Sequence, residues 1–301
     1  MQTASGVAHL SNADIAYDTF GEGPPVLLVM GIGAQRVFWD ERLCRRIAAL
    51  GFRVIRFDHR DIGESSHGTG PLDLDPPLKA LGKRLVGAPV RGPYALSDMA
   101  RDCVELLAHL REPQAHIVGI SMGGMIAQHI ALEFPAAVAS LTLIMTTPGS
   151  RRFLPQPHAI KALLGRRASS EAEAVQLRLD TFDIIGSPAY PMERERLTAI
   201  ITEAYRRDSS VRGFMNHFAA ILKSGDRTAK LGAVSAPTLV IHGTADPLVP
   251  LAAGRALARL IPGATWLPIA GMGHDFGEAL WPMMTPAMEQ LWQRATARSA
   301  A

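Results

Sequence analysis

The sequence has few cysteines and few aromatic residues. Only two cysteines, Cys44 and Cys103, occur among 301 residues, which is too few for a disulfide scaffold. Each falls in a segment with helical hydrophobic spacing, so we expect two buried free thiols in a reducing compartment. Aromatic residues make up 6% of the chain. Arginines occur in adjacent pairs at 151–152, 166–167 and 206–207, and no aromatic residues alternate with them as a nucleic-acid site would need. We therefore interpret these pairs as solvated surface.

Long hydrophobic runs are also absent. The longest run, at 25–31, is too short to cross a bilayer. The first residues show no basic stretch followed by an apolar one, so we expect no signal peptide. With 48% hydrophobic residues, 20% charged residues and a net charge of +3, the composition predicts a soluble, cytoplasmic globular protein with a sizeable core, no membrane span and no nucleic-acid partner.

Apolar strand runs alternate with helical segments through most of the chain. An alternating stretch at 7–20, with a turn at 11–14, predicts a β-hairpin. The fully apolar run at 26–30 predicts a strand buried on both faces. Further strands are predicted at 53–57, 116–120, 140–145, 237–243 and 265–269. Helical spacing occurs between them, after Gly33 as far as Leu50, at 97–109, 122–134, 251–260 and 280–297. The pattern predicts an α/β fold with a doubly wound, mostly parallel sheet.

Two stretches depart from this alternation. Residues 67–95 are rich in glycine and proline, and we assign them no regular structure. Residues 148–232 lose the strand runs and become helical, charged and arginine-rich. We therefore predict a core domain formed by 1–147 and 233–301, with a helical cap inserted at 148–232.

The strongest chemical motif is Gly-x-Ser-x-Gly at 119–123. It follows an apolar strand and opens directly into a helix, the context in which a tight turn exposes a serine hydroxyl at the sheet edge. The glycines remove Cβ atoms where strand and helix pass closely, and the helix N-terminus favours developing negative charge. We therefore predict Ser121 as a nucleophile.

A serine hydroxyl needs a neighbouring base, and that base needs an orienting carboxylate. Asp246 and His274 each follow a predicted strand, at the edge of the sheet where ligands bind. Asp275 competes weakly for the acid role because it would have to fold back onto its own neighbour. We interpret His242 as a structural residue at a strand end. No zinc-ligand spacing and no phosphate-binding loop occurs, so we predict no metal and no cofactor.

Four segments together resemble the α/β-hydrolase fold superfamily over nearly the whole chain. They are Asp-His-Arg-Asp-x-Gly-x-Ser at 58–65, Gly-x-Ser-x-Gly at 119–123, His-Gly-x-x-Asp-x-x-x-Pro at 242–250 and Gly-x-Gly-His at 271–274. The Val-Met-Gly opening at 29–31 is most similar to the aclacinomycin methylesterase-like serine esterases. The resemblance implies Ser121 as nucleophile, His274 as general base and acid, and Asp246 as its carboxylate.

The resemblance also implies an oxyanion hole. It would consist of the backbone N–H groups of Ile32 and Met122, and Met30 stands where many members carry histidine. We expect Asp58, His59 and Asp61 to brace this loop by hydrogen bonding. Candidates for an apolar pocket wall, equally compatible with ordinary packing, are Trp39, Met125, Phe153, Phe182, Phe214 and Phe276.

The predicted function is hydrolysis of a small-molecule carboxylic ester through an acyl-enzyme. A proline iminopeptidase would carry His-Gly-Gly-Pro-Gly at the oxyanion loop, and epoxide hydrolases and haloalkane dehalogenases would carry aspartate at position 121. C–C bond hydrolases, lactonases and perhydrolases share the same three residues and stay open as alternatives. A non-catalytic small-molecule receptor of the same fold also stays open, and the sequence defines neither the substrate nor the oligomeric state.

Overall fold

An eight-stranded sheet lies at the centre of the structure, a computed structural model that describes residues 3–69, 73–166 and 168–299. The strands are β1 (Thr3–His9), β2 (Asp14–Phe20), β3 (Pro25–Val29), β4 (Arg53–Phe57), β5 (Ala115–Ile120), β6 (Val138–Ile144), β7 (Thr238–Gly243) and β8 (Thr265–Ile269). They lie in the order β1-β2-β4-β3-β5-β6-β7-β8. β1 and β2 form the predicted antiparallel hairpin, β2 pairs antiparallel with β4, and all later pairs are parallel.

Helices cover both faces of this sheet. They are α1 (Glu41–Ala49), α2 (Pro77–Val86), α3 (Leu96–His109), α4 (Met122–Glu133), α5 (Pro157–Leu164), α6 (Glu171–Ile185), α7 (Arg194–Arg207), α8 (Arg212–Ser224), α9 (Leu251–Leu260) and α10 (Trp281–Ser299). The adjacent β5 residues Ile117 and Val118 belong to different hydrophobic clusters, because successive strand side chains point to opposite faces. Leu106 and Ile126 pack with the first, Ile47 and Trp292 with the second. The predicted doubly wound fold is therefore confirmed.

Two local predictions are wrong. Residues 67–95 include α2, which starts with Pro77 and ends at Gly87 in a left-handed conformation. Leu78, Leu81 and Leu85 have helical spacing, but the surrounding glycines and prolines obscure this signal, and Ala80 is the one buried residue of α2 while Leu78 and Leu85 are exposed. The helix expected between Gly33 and Leu50 is interrupted: a short 3-10 helix at Arg36–Phe38 precedes α1, whose first turn is capped by the Asp40 carboxylate.

Four helices, α5 to α8, occupy the segment between β6 and β7, where the sequence predicted an insertion. We call residues 148–232 the helical insertion; Arg167 within it lies outside the described residues, as do Met1 and Gln2 at the N-terminus. Cys44 and Cys103 are buried and free, as predicted. No helix in the described ranges has the length and apolar character needed to cross a bilayer.

The arginine pairs are not all solvated. Arg206 is largely exposed, but the side chain of Arg207 is 13% exposed and contacts the fully buried Asp58 carboxylate at 2.8 Å. The prediction of a solvated pair at 206–207 is therefore wrong for Arg207. Alternate burial of adjacent residues follows from helix geometry, because each residue is turned about 100° from the last.

Candidate active site

Ser121 lies in the turn between β5 and α4. Its φ of 54° is in the left-handed region, which residues other than glycine rarely adopt. The surrounding chain holds this conformation: the Ser121 N–H donates to the Ile144 carbonyl at 3.0 Å, and the Thr146 hydroxyl donates to the Ser121 carbonyl at 2.6 Å. Strain of this kind persists where several contacts determine the backbone, and it is common at functional sites.

The two glycines of the motif allow the close approach of strand and helix. A Cβ at Gly123 would lie 2.0 Å from the Val29 carbonyl oxygen, and one at Gly119 would lie 2.4 Å from the Gly123 carbonyl oxygen. No side chain fits at such distances. Glycine is therefore required at both positions for the β5–α4 turn to sit beside β3.

The structure brings Ser121, His274 and Asp246 into one hydrogen-bonded chain. The Nε2 atom of His274 lies 3.0 Å from the Ser121 Oγ, and its Nδ1 atom lies 2.8 Å from Oδ2 of Asp246. Asp246 follows β7 and His274 follows β8, so two neighbouring parallel strands deliver them to the same sheet edge as the serine. The His274 N–H donates to the Ile185 carbonyl at 2.6 Å, which ties this loop to α6 of the helical insertion.

The Asp246 carboxylate is held by its own loop. Its Oδ1 accepts from the N–H groups of Leu248 at 2.9 Å and Val249 at 2.8 Å, which leaves Oδ2 for the histidine. The Nε2–H of nearby His242 donates to the Val249 carbonyl at 2.9 Å, and burial lowers the pKa of His242. His242 thus lies near the end of β7, as the sequence predicts, and contacts the loop that carries Asp246.

Asp275 points away from this chain. Its carboxylate accepts from the Ser187 N–H at 2.9 Å and from the Ser187 hydroxyl. Burial raises the pKa of Asp275. Its hydrogen bonds therefore attach the His274 loop to the helical insertion rather than orient the imidazole.

Two backbone N–H groups at the serine are free to bind an acceptor. A Cβ built on Gly31 would lie 3.9 Å from the Ser121 Oγ, so the loop after β3 passes directly beside the hydroxyl. Ile32 follows in that loop, and Met122 opens α4, where the first N–H groups of a helix have no intrahelical partner. Within the described part of the chain, neither N–H donates to a protein acceptor.

Two side chains of the segment that follows β4 brace this loop. His59 contacts the Met30 carbonyl through Nε2 at 3.0 Å, and the Asp58 Oδ1 accepts from the Arg36 N–H at 2.6 Å. Asp61 instead accepts from the Tyr94 hydroxyl and the Asn216 amide, each at 2.8 Å, so the expectation that it braces the loop is wrong.

A third contact to the loop comes from the helical insertion, and the sequence did not predict it. His217 of α8 accepts from the Gly33 N–H through Nδ1 at 3.3 Å and donates through Nε2 to the Arg60 carbonyl at 3.0 Å. Burial lowers the pKa of His217 to about 3 and that of His59 to about 4, so both are neutral near pH 7. No sequence motif marks His217, because its contact to the loop is made across more than a hundred residues.

A largely apolar cavity opens over Ser121 between the sheet edge and the helical insertion. Its apolar lining includes Ile32, Phe38, Leu163, Phe182, Met192, Ile200, Leu248, Phe276 and Trp281. Of the predicted wall residues, Phe182 and Phe276 therefore line the cavity. The other four lie outside its lining. Trp39 and Met125 belong to the core, and Phe153 follows β6. Phe214 packs over Gly33 and stacks on Phe218. Their placement depends on helix packing that local spacing does not specify.

These observations define a protein class. The family model described as "alpha/beta hydrolase fold" matches residues 24–278, and the sheet order and the Ser121 turn agree with it. The chain belongs to the alpha/beta hydrolase fold family and is a hydrolase of that fold.

Particular relatives are similar over most of their length. The chain is 32% identical to a protein named "Putative carbamate hydrolase RutD" from Variovorax paradoxus, over 87% of this chain and 91% of the relative. It is 26% identical to a rhodomycin D methylesterase of Streptomyces peucetius, over 83% and 84%. A meta-cleavage product hydrolase of Pseudomonas fluorescens, 20% identical, shares the fold with a TM-score of 0.72 over 98% of each chain.

Proposed function

We propose that this protein is a carboxylic-ester hydrolase in which Ser121 forms an acyl-enzyme. The observation that carries the proposal is the chain from the Ser121 Oγ through His274 to Asp246, at 3.0 and 2.8 Å, at the floor of an apolar cavity. A base within hydrogen-bonding distance of a serine, oriented by a carboxylate, is the arrangement that activates this nucleophile. The methylesterase relative supports the ester class.

Acylation begins when the Ser121 Oγ attacks the ester carbonyl carbon. As the O–C bond forms, Nε2 of His274 takes the serine proton, and the carbonyl electron pair moves to oxygen. The N–H groups of Ile32 and Met122 donate to that oxyanion, a stabilisation of about 3–4 kcal/mol for a donor of this kind. The intermediate then collapses, the C–O bond to the alcohol breaks, and the imidazolium returns the proton to the leaving oxygen.

Deacylation repeats these steps with water as the nucleophile. His274 removes a proton from water as its oxygen bonds to the acyl carbon, and then returns a proton to the Ser121 Oγ as the acid leaves. Asp246 keeps the proton of the neutral imidazole on Nδ1, so that Nε2 faces the serine, and stabilises the imidazolium between transfers.

We also propose that the helical insertion is a cap domain, residues 148–232, over a core formed by 1–147 and 233–301. Support comes from the cavity wall, to which α5, α6 and α7 contribute alongside core residues. The substrate would therefore be a small molecule enclosed between the two parts. Two buried free thiols support a reducing, cytoplasmic location.

A second candidate is hydrolysis of a carbamate. It is favoured by the carbamate hydrolase relative at 32% identity. The same attack and oxyanion stabilisation apply, but the carbamate nitrogen donates electrons into the carbonyl and makes its carbon a poorer electrophile. Matched p-nitrophenyl butanoate and p-nitrophenyl N-propylcarbamate separate the two: esterase specificity predicts the larger kcat/KM for the ester, and the reverse order would select the carbamate.

The test of the main proposal is a pre-steady-state assay with p-nitrophenyl butanoate. We expect wild-type protein to release a burst of p-nitrophenol equal to the enzyme concentration, followed by steady turnover. Ser121→Ala is expected to lose both, with kcat reduced by several orders of magnitude. The control Ser235→Ala changes an exposed serine outside the cavity and should behave as wild type. Equal turnover by Ser121→Ala would refute a nucleophilic role for this serine.

A further inference from the structure

Arg178 is a cation on the cavity wall. It lies on α6 with Phe182 and Ile185 at the spacing i, i+4 and i+7, which places all three on one helical face. All three line the same cavity as Ser121 and His274. The guanidinium-bearing residue is therefore part of the wall that a substrate meets, on an otherwise apolar helical face.

The other arginines of this cavity are already paired. Arg42 contacts Asp40 at 3.1 Å and Glu278 at 2.8 Å, and Arg196 contacts Asp40 at 3.0 Å. Among cavity carboxylates, Asp275 is occupied by the Ser187 N–H and hydroxyl, and Glu193 adds to the field at Arg42. Arg42 on α1 and Arg196 on α7 therefore already have carboxylate partners.

Arg178 has no such partner in the described residues: no carboxylate lies within ion-pairing distance, and no protein acceptor takes a hydrogen bond from it. It is half-buried, and burial lowers its pKa without an opposing effect from any carboxylate. Arginine stays protonated in proteins, so its charge persists in the cavity. Partial burial of an unpaired charge is unfavourable, and an anionic ligand would relieve it.

We propose that Arg178 binds a carboxylate of the substrate, so that the preferred substrate is an ester carrying one carboxylate separated by an apolar segment from the bond that is cleaved. This inference rests on the proposed esterase function at Ser121. A planar guanidinium pairs with a carboxylate through two parallel hydrogen bonds. One unpaired cation neutralises one negative charge, and the cavity acids Glu193 and Asp275 oppose a second, which favours a carboxylate over a phosphate dianion.

The kinetic test compares two p-nitrophenyl esters of similar length. Mono-p-nitrophenyl adipate ends in a carboxylate, and p-nitrophenyl heptanoate has an ethyl group in its place. We expect the ratio of kcat/KM for the anionic ester to that for the neutral ester to fall roughly 10- to 100-fold in Arg178→Gln, the loss typical of a charge-assisted hydrogen bond. Arg178→Lys should restore part of the ratio, because it restores the charge without the planar fork.

The matched control is Arg194→Gln, which removes an exposed arginine paired with Asp183 on the outside of the helical insertion. It should keep the wild-type ratio. A general effect of cap charge would instead lower the ratio in both variants and overturn the assignment to Arg178.

A binding experiment separates this inference from the proposed function. Calorimetry measures the binding of monomethyl adipate to Ser121→Ala and to Ser121→Ala combined with Arg178→Gln, so that no turnover is needed. We expect affinity at least about tenfold weaker without Arg178. If wild type hydrolyses neither ester, the esterase proposal fails while calorimetry still decides the carboxylate site. Unchanged affinity and an unchanged kinetic ratio in Arg178→Gln would overturn the inference.

Discussion

Each residue of the hydrogen-bonded chain at Ser121 is held by contacts that leave one atom free for its neighbour. The Asp246 Oδ1 accepts two backbone N–H groups, so Oδ2 faces the Nδ1 of His274. The adjacent carboxylate of Asp275 is directed to Ser187 instead. The two acids therefore differ in role although only the loop geometry distinguishes them.

Asp246→Asn is expected to lower kcat by roughly 10⁴-fold. The neutral amide is a weaker acceptor for the Nδ1–H of His274 than the carboxylate is. It also carries no negative charge to stabilise the imidazolium. Steady-state kinetics with p-nitrophenyl butanoate measure the effect. Asp275→Asn, which loosens the contact to Ser187, should reduce kcat far less; equal losses in the two variants would contradict the assignment of Asp246.

Buried histidines predict how stability depends on pH. Burial lowers the pKa of His59 and His116 to about 4 and that of His217 to about 3, from an ordinary 6.5. Between these values the unfolded chain binds more protons than the folded one. The stabilisation is therefore complete above about pH 6.5 and is lost as the pH falls to about 4 for His59 and His116 and to about 3 for His217, on the order of 1 kcal/mol per pH unit for each histidine.

Urea unfolding between pH 4 and 7 measures this slope. His116 is a buried histidine away from Ser121 that contacts Ser140 at 2.9 Å. His116→Gln should lower the number of protons taken up on unfolding by about one, and so reduce the slope of the free energy of unfolding against pH. His158→Gln, at an exposed position, should keep the wild-type slope. A wild-type protein whose free energy of unfolding stayed constant down to pH 4 would show that these histidines do not control acid stability.

At the scale of elements, the approach of α4 to β3 is limited by the backbone itself. Gly123→Ala would place Cβ 2.0 Å from the Val29 carbonyl oxygen, so the helix must move away from the strand. We expect a loss of roughly 1–3 kcal/mol in the free energy of unfolding. Displacement of Ser121 by about 1 Å would also lower kcat about 10²-fold. Urea unfolding and steady-state kinetics on the same preparation measure both.

The control for this change is Gly82→Ala in α2. No atom lies within 4 Å of a Cβ at Gly82, and alanine favours the helix over glycine by about 0.5–1 kcal/mol. Gly82→Ala should therefore raise stability and leave kcat alone. If Gly123→Ala also raised the free energy of unfolding and left kcat unchanged, α4 would not pack as closely on β3 as described.

At the scale of the whole molecule, ion pairs join the helical insertion to the core. Arg207 of α7 contacts Asp58 at 2.8 Å and Glu64 at 3.0 Å. The Asp58 side chain is fully buried and also contacts Arg36. Removal of one partner from a buried pair is strongly destabilising because the remaining charge stays buried, although Arg36 compensates here in part.

Arg207→Gln is expected to lower the free energy of unfolding by about 1–3 kcal/mol and to speed amide hydrogen exchange in α7. The adjacent Arg206→Gln removes an exposed contact to Glu171 and should change neither measurably. Mass spectrometry of hydrogen exchange, with urea unfolding, distinguishes the neighbours. Equal behaviour of the two variants would show that Arg207 does not fasten the insertion to the core.

Much of the core and of the site could be predicted from local sequence. Each chemical residue follows a strand that the sequence predicts: Ser121 follows β5 and Asp246 follows β7, both fully buried, and His274 follows the edge strand β8. Parallel strands bring their carboxyl ends to one edge, so the order of motifs along the chain is enough to predict that the three meet. The antiparallel hairpin and the buried thiols follow from spacing in the same way.

The sequence by itself thus determined the sheet, the Ser121 turn and the residues gathered at its edge, because short-range hydrophobic periodicity and backbone sterics specify them. Only the tertiary structure decided the rest: the contact of His217 with Gly33, the burial of Arg207 and the cavity position of Arg178. These depend on how the helices of the insertion pack against distant segments. That packing arises from contacts between residues far apart in the chain, which no local pattern records.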